Sequence, residues 1–170
     1  MTKLLYKYIA LTPIFIAIQI FILNDIFFAN FTNPFLYIIL IITIPKNTPK
    51  WFLLIFAFQL GFFIDLFSNS LGYHSTACVL IAFLRPIIIE LIIPNNIINE
   101  LDRISMQKLG FKSFFIYSFI LILIHHTTLL FLEYFDLGIL FSIILKIIIS
   151  SFISLILICI TQLFFYKNKS

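Results

Sequence analysis

Apolar residues come in successive runs about twenty long, separated by short polar turns, and that spacing leaves this chain few options other than crossing a lipid bilayer. A helix rises 1.5 Å per residue, so about 20 apolar residues span the hydrocarbon. The runs fall at about 8–23, 26–44, 51–67, 74–93, 113–132 and 139–165. Together they take up most of the 170 residues, 62% of which are hydrophobic and only 11% charged. Soluble domains carry about 45–50% apolar and about 25% charged residues. The expectation is therefore an all-α, polytopic membrane protein, a six-helix bundle forming one transmembrane domain over 1–170.

The breaks between runs vary in character. Asn30, Asn33 and Pro34 interrupt the second run, and its unbroken part, 35–44, is too short to span alone. Either that helix begins before Pro34, or the segment is tilted or re-entrant. Trp51 opens the third run where an interfacial aromatic would sit. Ser68, Asn69, Ser70 and Gly72 make a turn. The one long polar stretch, 94–112, holds Glu100, Asp102, Arg103, Lys108 and Lys112, and its apolar positions Ile97, Ile98, Leu101, Ile104 and Leu109 predict a short amphipathic surface helix. The sixth run exceeds the length needed, which predicts tilt. Lys3 and Lys7 ahead of the first run resemble a signal peptide. With no small-x-small cleavage site after them, a retained first helix is expected.

Charge placement orients the bundle. With the N-terminus in the cytoplasm, the segments on that side hold Lys3, Lys7, Lys46, Lys50, Arg103, Lys108, Lys112, Lys167 and Lys169, nine of the eleven basic residues. The opposite turns hold none, only Asp25, Glu133 and Asp136, with Asp65 nearby. Basic residues in short loops mark the cytoplasmic face, so six crossings with both termini inside satisfy every loop. The net charge of +4 is scattered along the chain and makes no nucleic-acid patch.

Arg85 and Lys146 are the two basic residues within apolar runs. For Arg85, with Glu90 five positions on, a polar site or partner contact and snorkelling toward headgroups both fit; Lys146 fits snorkelling. Pro86 frees a backbone carbonyl one turn earlier. Gly61 and Asp65, four apart, share a helix face. Gly61 permits close helix approach, and Asp65 is placed to bond the opening of the fourth helix at His74, Ser75 and Thr76, with a binding or catalytic role as the alternative. His125 and His126 lie mid-membrane and point about 100° apart, too far to clamp a metal as a pair. One of them facing the bundle, hydrogen-bonded to Thr127, Thr128 or another helix, is the plain reading, and proton relay is the other. Cys78 and Cys159 read as small packing residues. No HExxH, Gly-x-Ser-x-Gly, P-loop or dinucleotide motif occurs. An intramembrane aspartyl hydrolase would need a second carboxylate at the depth of Asp65, and only Asp25 and Asp136 offer one. No catalytic residue, metal or cofactor is expected.

The stretch from Gly61 through Asp65, Gly72 and His74 to Arg85-Pro86, GFFIDLFSNSLGYHSTACVLIAFLRP, resembles the rod shape-determining MreD family, its Bacteroidetes-like branch in particular. The family pattern is a Gly and an Asp ending the third helix, a Gly-bearing turn and a fourth helix. Glu133 at the end of the fifth helix, the chain length and the short loops also fit it. The resemblance implies a non-catalytic scaffold of the cell-elongation machinery in the bacterial inner membrane. It would bind MreC and, through it, connect to MreB, RodA and a penicillin-binding transpeptidase of peptidoglycan synthesis. The fold it implies resembles the six-helix substrate-binding subunits of energy-coupling factor transporters. The competing function is such a small-molecule transport subunit, for which Asp65, His74, His125 and Lys146 are the candidate ligand contacts.

Overall fold

The computed structural model describes residues 2–24, 32–94, 103–134 and 140–166. Among them every regular element is helical: α1 (Thr2–Ile18), α2 (Ile38–Thr43), α3 (Lys50–Ser68), α4 (Tyr73–Ile92), α5 (Met106–Leu109), α6 (Phe111–Glu133) and α7 (Leu140–Tyr166). A π-helical turn, Gln19–Leu23, continues α1. Among the described residues five helices are long and apolar enough to cross a bilayer: α1 with its π turn, α3, α4, α6 and α7. The chain is a multi-pass, all-α membrane protein.

The helices have exposed apolar surfaces as well as a buried core. Trp51, Phe58, Phe62, Phe67, Phe83, Phe141 and Phe152 are all exposed. In water such a surface would aggregate; facing lipid, it requires no cover. Inside, α3 packs on α4, α4 on α6 and α6 on α7, while α2 lies against α4 and α6. Helix α1 is the least embedded span. Only 17% of its apolar window is buried, against 39–44% for the other four.

The second apolar run differs most from expectation. Of residues 32–44, helix forms only over Ile38–Thr43, and 32–36 are non-helical. Residues 26–31 lie outside the described part. Pro34 explains the break: it carries no N–H and disfavours helix at Asn33. The segment is nevertheless the most buried among the described residues, with Tyr37, Ile38, Ile41, Ile42 and Ile44 all fully enclosed.

The amphipathic surface helix expected after α4 falls mostly outside the described residues. Residues 95–102, including Ile97, Ile98, Glu100, Leu101 and Asp102, lie outside the described part. Beyond them only the four-residue α5 is helical, and Ile104, Met106 and Leu109 are buried in the core. Asp25, Asp136, Lys167 and Lys169 also lie outside the described residues.

Candidate functional site

Non-helical backbone at membrane depth survives only where protein satisfies its polar groups, and the segment 32–44 is satisfied almost group by group. The Gln19 side chain, buried at the start of the π turn, donates from Nε2 to Pro34 O (3.0 Å) and accepts the Leu36 N–H at Oε1 (2.9 Å). The hydroxyls of Ser150 and Ser154 on α7 accept the N–H groups of Asn33 (3.1 Å) and Phe35 (2.9 Å). At the other end, α2 leaves carbonyls without intrahelical partners. Tyr117 O–H donates to Ile42 O (2.9 Å), Tyr8 O–H to Thr43 O, and Arg85 Nη2 to Ile44 O.

Arg85 therefore does not snorkel. Its side chain is 1% exposed, and its Nε also donates to Tyr117 Oη at 3.0 Å. A guanidinium at a helix C-terminus complements the partial negative charge of the final carbonyls. Glu90 is exposed on the other side of α4 and makes no ion pair with Arg85. Helix α4 runs through Pro86 without interruption.

A second set of contacts joins α3 to α4. Asp65 Oδ1 accepts the His74 N–H (3.0 Å) and the Ser70 hydroxyl; Oδ2 accepts the Ser75 N–H (2.8 Å) and its hydroxyl. These are free amides of a helix start, where a carboxylate is favoured. The Thr76 N–H is taken by Gly72 O instead. Gly72, with φ +86°, and Asn69, with φ 53°, supply the left-handed residues of the turn. Gly61 sits one turn below Asp65, where α4 comes close. A Cβ there would lie 2.5 Å from Ser75 Cα and 2.7 Å from the His74 carbonyl carbon, so any side chain would collide with backbone.

Between these two sets lies a buried lattice of rings. The Tyr37 hydroxyl bonds His74 Nδ1 at 2.7 Å and His125 Nε2 at 3.0 Å. Donation to His74 and acceptance from a protonated His125 Nε2 satisfies both contacts. His125 Nδ1 then has no partner among the described residues. Cys78 Sγ is 3.8 Å from His125 Nε2. Phe35 fills the centre, within 5.0–5.6 Å of the rings of His74, His125 and His126.

One histidine of α6 is expected to face the bundle and bond another helix; both are fully buried, and both find partners outside α6. Adjacent positions diverge by about 100°, but α6 has neighbours on both sides. His125 turns toward α4 and Tyr37, and His126 toward Ser154 of α7. His126 Nδ1 is 2.9 Å from Ile122 O, and its Nε2 is 3.2 Å from both Ser154 Oγ and Asn33 O. Thr128 is bonded to its own helix at Ile124 O.

Lys146 stands apart, half-buried, 3.1 Å from Tyr134 Oη and over that ring at 4.7 Å. Of the four residues proposed as ligand contacts, His74 lines a polar cavity of about 360 Å³, whose other polar walls include Asn24, Asn33, Ser70, Tyr73 and Glu133. Asp65 is saturated, and His125 and Lys146 lie elsewhere. Among the described residues no three of His, Cys, Asp and Glu come together to hold a metal ion.

Sequence reasoning missed Gln19, Tyr37, Tyr117 and Ser154. Gln19 gave a signal, a lone amide within an apolar run. The tyrosines and serines did not, since both types occur throughout lipid-facing helices. No protein-family model matches the chain, and no curated protein or solved structure matches it.

Proposed function

We propose that this chain is a non-catalytic scaffold of the bacterial cell-elongation machinery, of the MreD type. In this reading it lies in the inner membrane with six crossings, the broken segment through 32–44 serving as the second. Both termini face the cytoplasm, and the fold resembles that of energy-coupling factor substrate-binding subunits. It binds MreC and, through MreC, links MreB to RodA and its transpeptidase.

One observation carries the reading. Several polar side chains inside the bundle bond the protein's own backbone: Asp65 holds a helix start, Arg85 a helix end, Gln19 and Ser154 a non-helical segment. That is the wiring of a rigid helix-packing body, with the exposed apolar faces left for lipid and partners. Depletion is expected to turn rods into spheres, and MreC is expected to co-purify. Cells that keep their shape on depletion, together with MreC that elutes separately, would overturn the scaffold.

The cavity beside His74 favours a second reading, a small-molecule transport subunit. It gathers polar groups from α1, the broken segment, the α3–α4 turn and α6 at one end of the bundle. A vitamin-sized ligand carried through purification, and uptake lost on deletion, are its expected results.

A further inference from the structure

A groove of about 490 Å³ runs between α1 and α3, walled by Ile9, Pro13 and Ile16 on one side and Ile55, Gln59 and Phe63 on the other. On each helix these positions recur at spacings of three and four, the period of a helix-packing seam. The α3 seam contains an amide at its middle. Gln59 is the tenth of the nineteen residues of α3, so it lies about 14 Å from either helix end at 1.5 Å per residue. It is exposed, and its amide finds no hydrogen-bond partner among the described residues. Thr12, also in the groove, donates to Tyr8 O at 2.9 Å, and no hydrogen bond joins it to Gln59. An amide bare to hydrocarbon is unfavourable by several kcal/mol. Headgroups are out of its reach, and an acyl chain has neither donor nor acceptor.

We propose that this groove receives a transmembrane helix of another polypeptide, one bearing a hydrogen-bonding side chain (Asn, Gln, Ser or Thr) halfway along its span. Three observations select that occupant. The unpaired amide requires a polar group at the bilayer centre. The groove follows α1 from Ile9 to Phe21, about 18 Å at the helical rise, which suits a helix laid along it. Helix α1 is the least buried span, and one of its faces has no neighbour among the described residues. A second copy of this chain fits less well. A two-fold contact would press the same concave surface against itself and leave the space unfilled. The proposal rests on the scaffold reading and names the surface that reading leaves open.

The test uses the full-length protein in phosphatidylcholine vesicles with fluorescent twenty-residue Leu/Ala transmembrane peptides at low peptide-to-lipid ratio, read by energy transfer. A peptide with Asn at its centre is expected to bind about fivefold more tightly than the all-apolar host, the gain one interhelical hydrogen bond provides in lipid. Gln59→Leu is expected to abolish that difference, Gln59→Asn to retain it, and Ala17→Phe, which fills the groove from α1, to weaken both peptides. Equal binding of the two peptides to the wild type overturns the proposal. So does self-association of the protein that Gln59→Leu removes and the Asn peptide does not compete with, since the occupant would then be a second copy. Failure of the groove and of the scaffold reading stay distinct. MreC that co-purifies undiminished with Gln59→Leu and Ala17→Phe keeps the scaffold and rejects the groove. Peptide discrimination in a protein that neither binds MreC nor affects cell shape does the reverse.

Discussion

Gly61 and Asp65 act as one device. The glycine lets α4 approach until only hydrogen would fit between the helices, and the carboxylate one turn on holds that approach by bonding the first amides of α4. Gly61→Ala puts a methyl group 2.5 Å from the Ser75 backbone, where no side-chain rotation relieves it. The helices must part, at a loss of about 1–3 kcal/mol typical of overpacking, which a denaturant titration in detergent would register. Gly61→Leu must part them further and draw Ser75 off Asp65. Asp65→Asn keeps one acceptor oxygen and the same shape, so its loss should stay near the about 1–3 kcal/mol of an unmade buried hydrogen bond. We expect Gly61→Leu to lower the yield of folded protein more than Asp65→Asn does, and, on the proposed scaffold reading, the yield of its complex with MreC; matching yields of the wild type and Gly61→Leu would contradict this. The pair is legible in the sequence because its parts are local: four residues put both on one face, and a short turn fixes what that face meets. The two histidines were legible only in part. Their divergence on α6 follows from helix geometry, but which neighbours take each ring depends on Tyr37 and Ser154, far away in the chain.

The buried segment 32–44 is the element that local reading resolves least. Hydropathy marks it as membrane-buried, and Pro34 marks the break. What makes a non-helical stretch tolerable there is supplied from 15 to 119 residues away, by Gln19 at one extreme and Ser154 at the other, and no periodicity reveals such partners. The five long helices, by contrast, agree with the apolar runs to within a few residues except at the start of α1, which extends back to Thr2, because each one satisfies its own backbone. This difference has a measurable consequence. Arg85→Leu leaves the Ile44 carbonyl and the Tyr117 hydroxyl without their cation. An unpaired buried carbonyl is unfavourable by about 1–3 kcal/mol, and the release should stay local. Hydrogen exchange at the amides of 38–44 is expected to rise about tenfold or more, while α7 stays protected. Tyr117→Phe should give a smaller rise in the same amides, since the Arg85–Ile44 bond remains. Uniform acceleration through all helices would mean that Arg85 stabilises the bundle as a whole and has no special hold on α2.

For the whole molecule, the distribution of basic residues and the helix ends constrain each other. The 45–50 turn and the 69–72 turn are the two ends of α3, nineteen residues or about 28 Å apart, close to the hydrocarbon thickness. If α3 crosses, these turns face opposite compartments, and in the proposed orientation Lys46 and Lys50 put the first in the cytoplasm. Thr48 is a poor reporter, being buried and bonded to Pro45 O, whereas Asn47 and Leu71 are exposed. Single cysteines at Asn47 and Leu71, in a background with Cys78→Ala and Cys159→Ala, should therefore label from opposite sides of sealed inner-membrane vesicles. A cysteine at Asp136 should label with Leu71. Between Leu71 and Asp136 lie α4 and α6, two crossings, so agreement between them fixes the later half of the bundle independently of the broken segment. A cysteine at Lys3 should label with Asn47 only if the chain crosses twice between them, once through α1 and once through the segment that Gln19, Arg85 and Tyr117 hold in place. If Lys3 instead labels from the side of Leu71, residues 25–44 enter and leave by the same face. The protein would then have five crossings with its termini apart, and the six-crossing scaffold would lose the symmetry of charge on which its orientation was based.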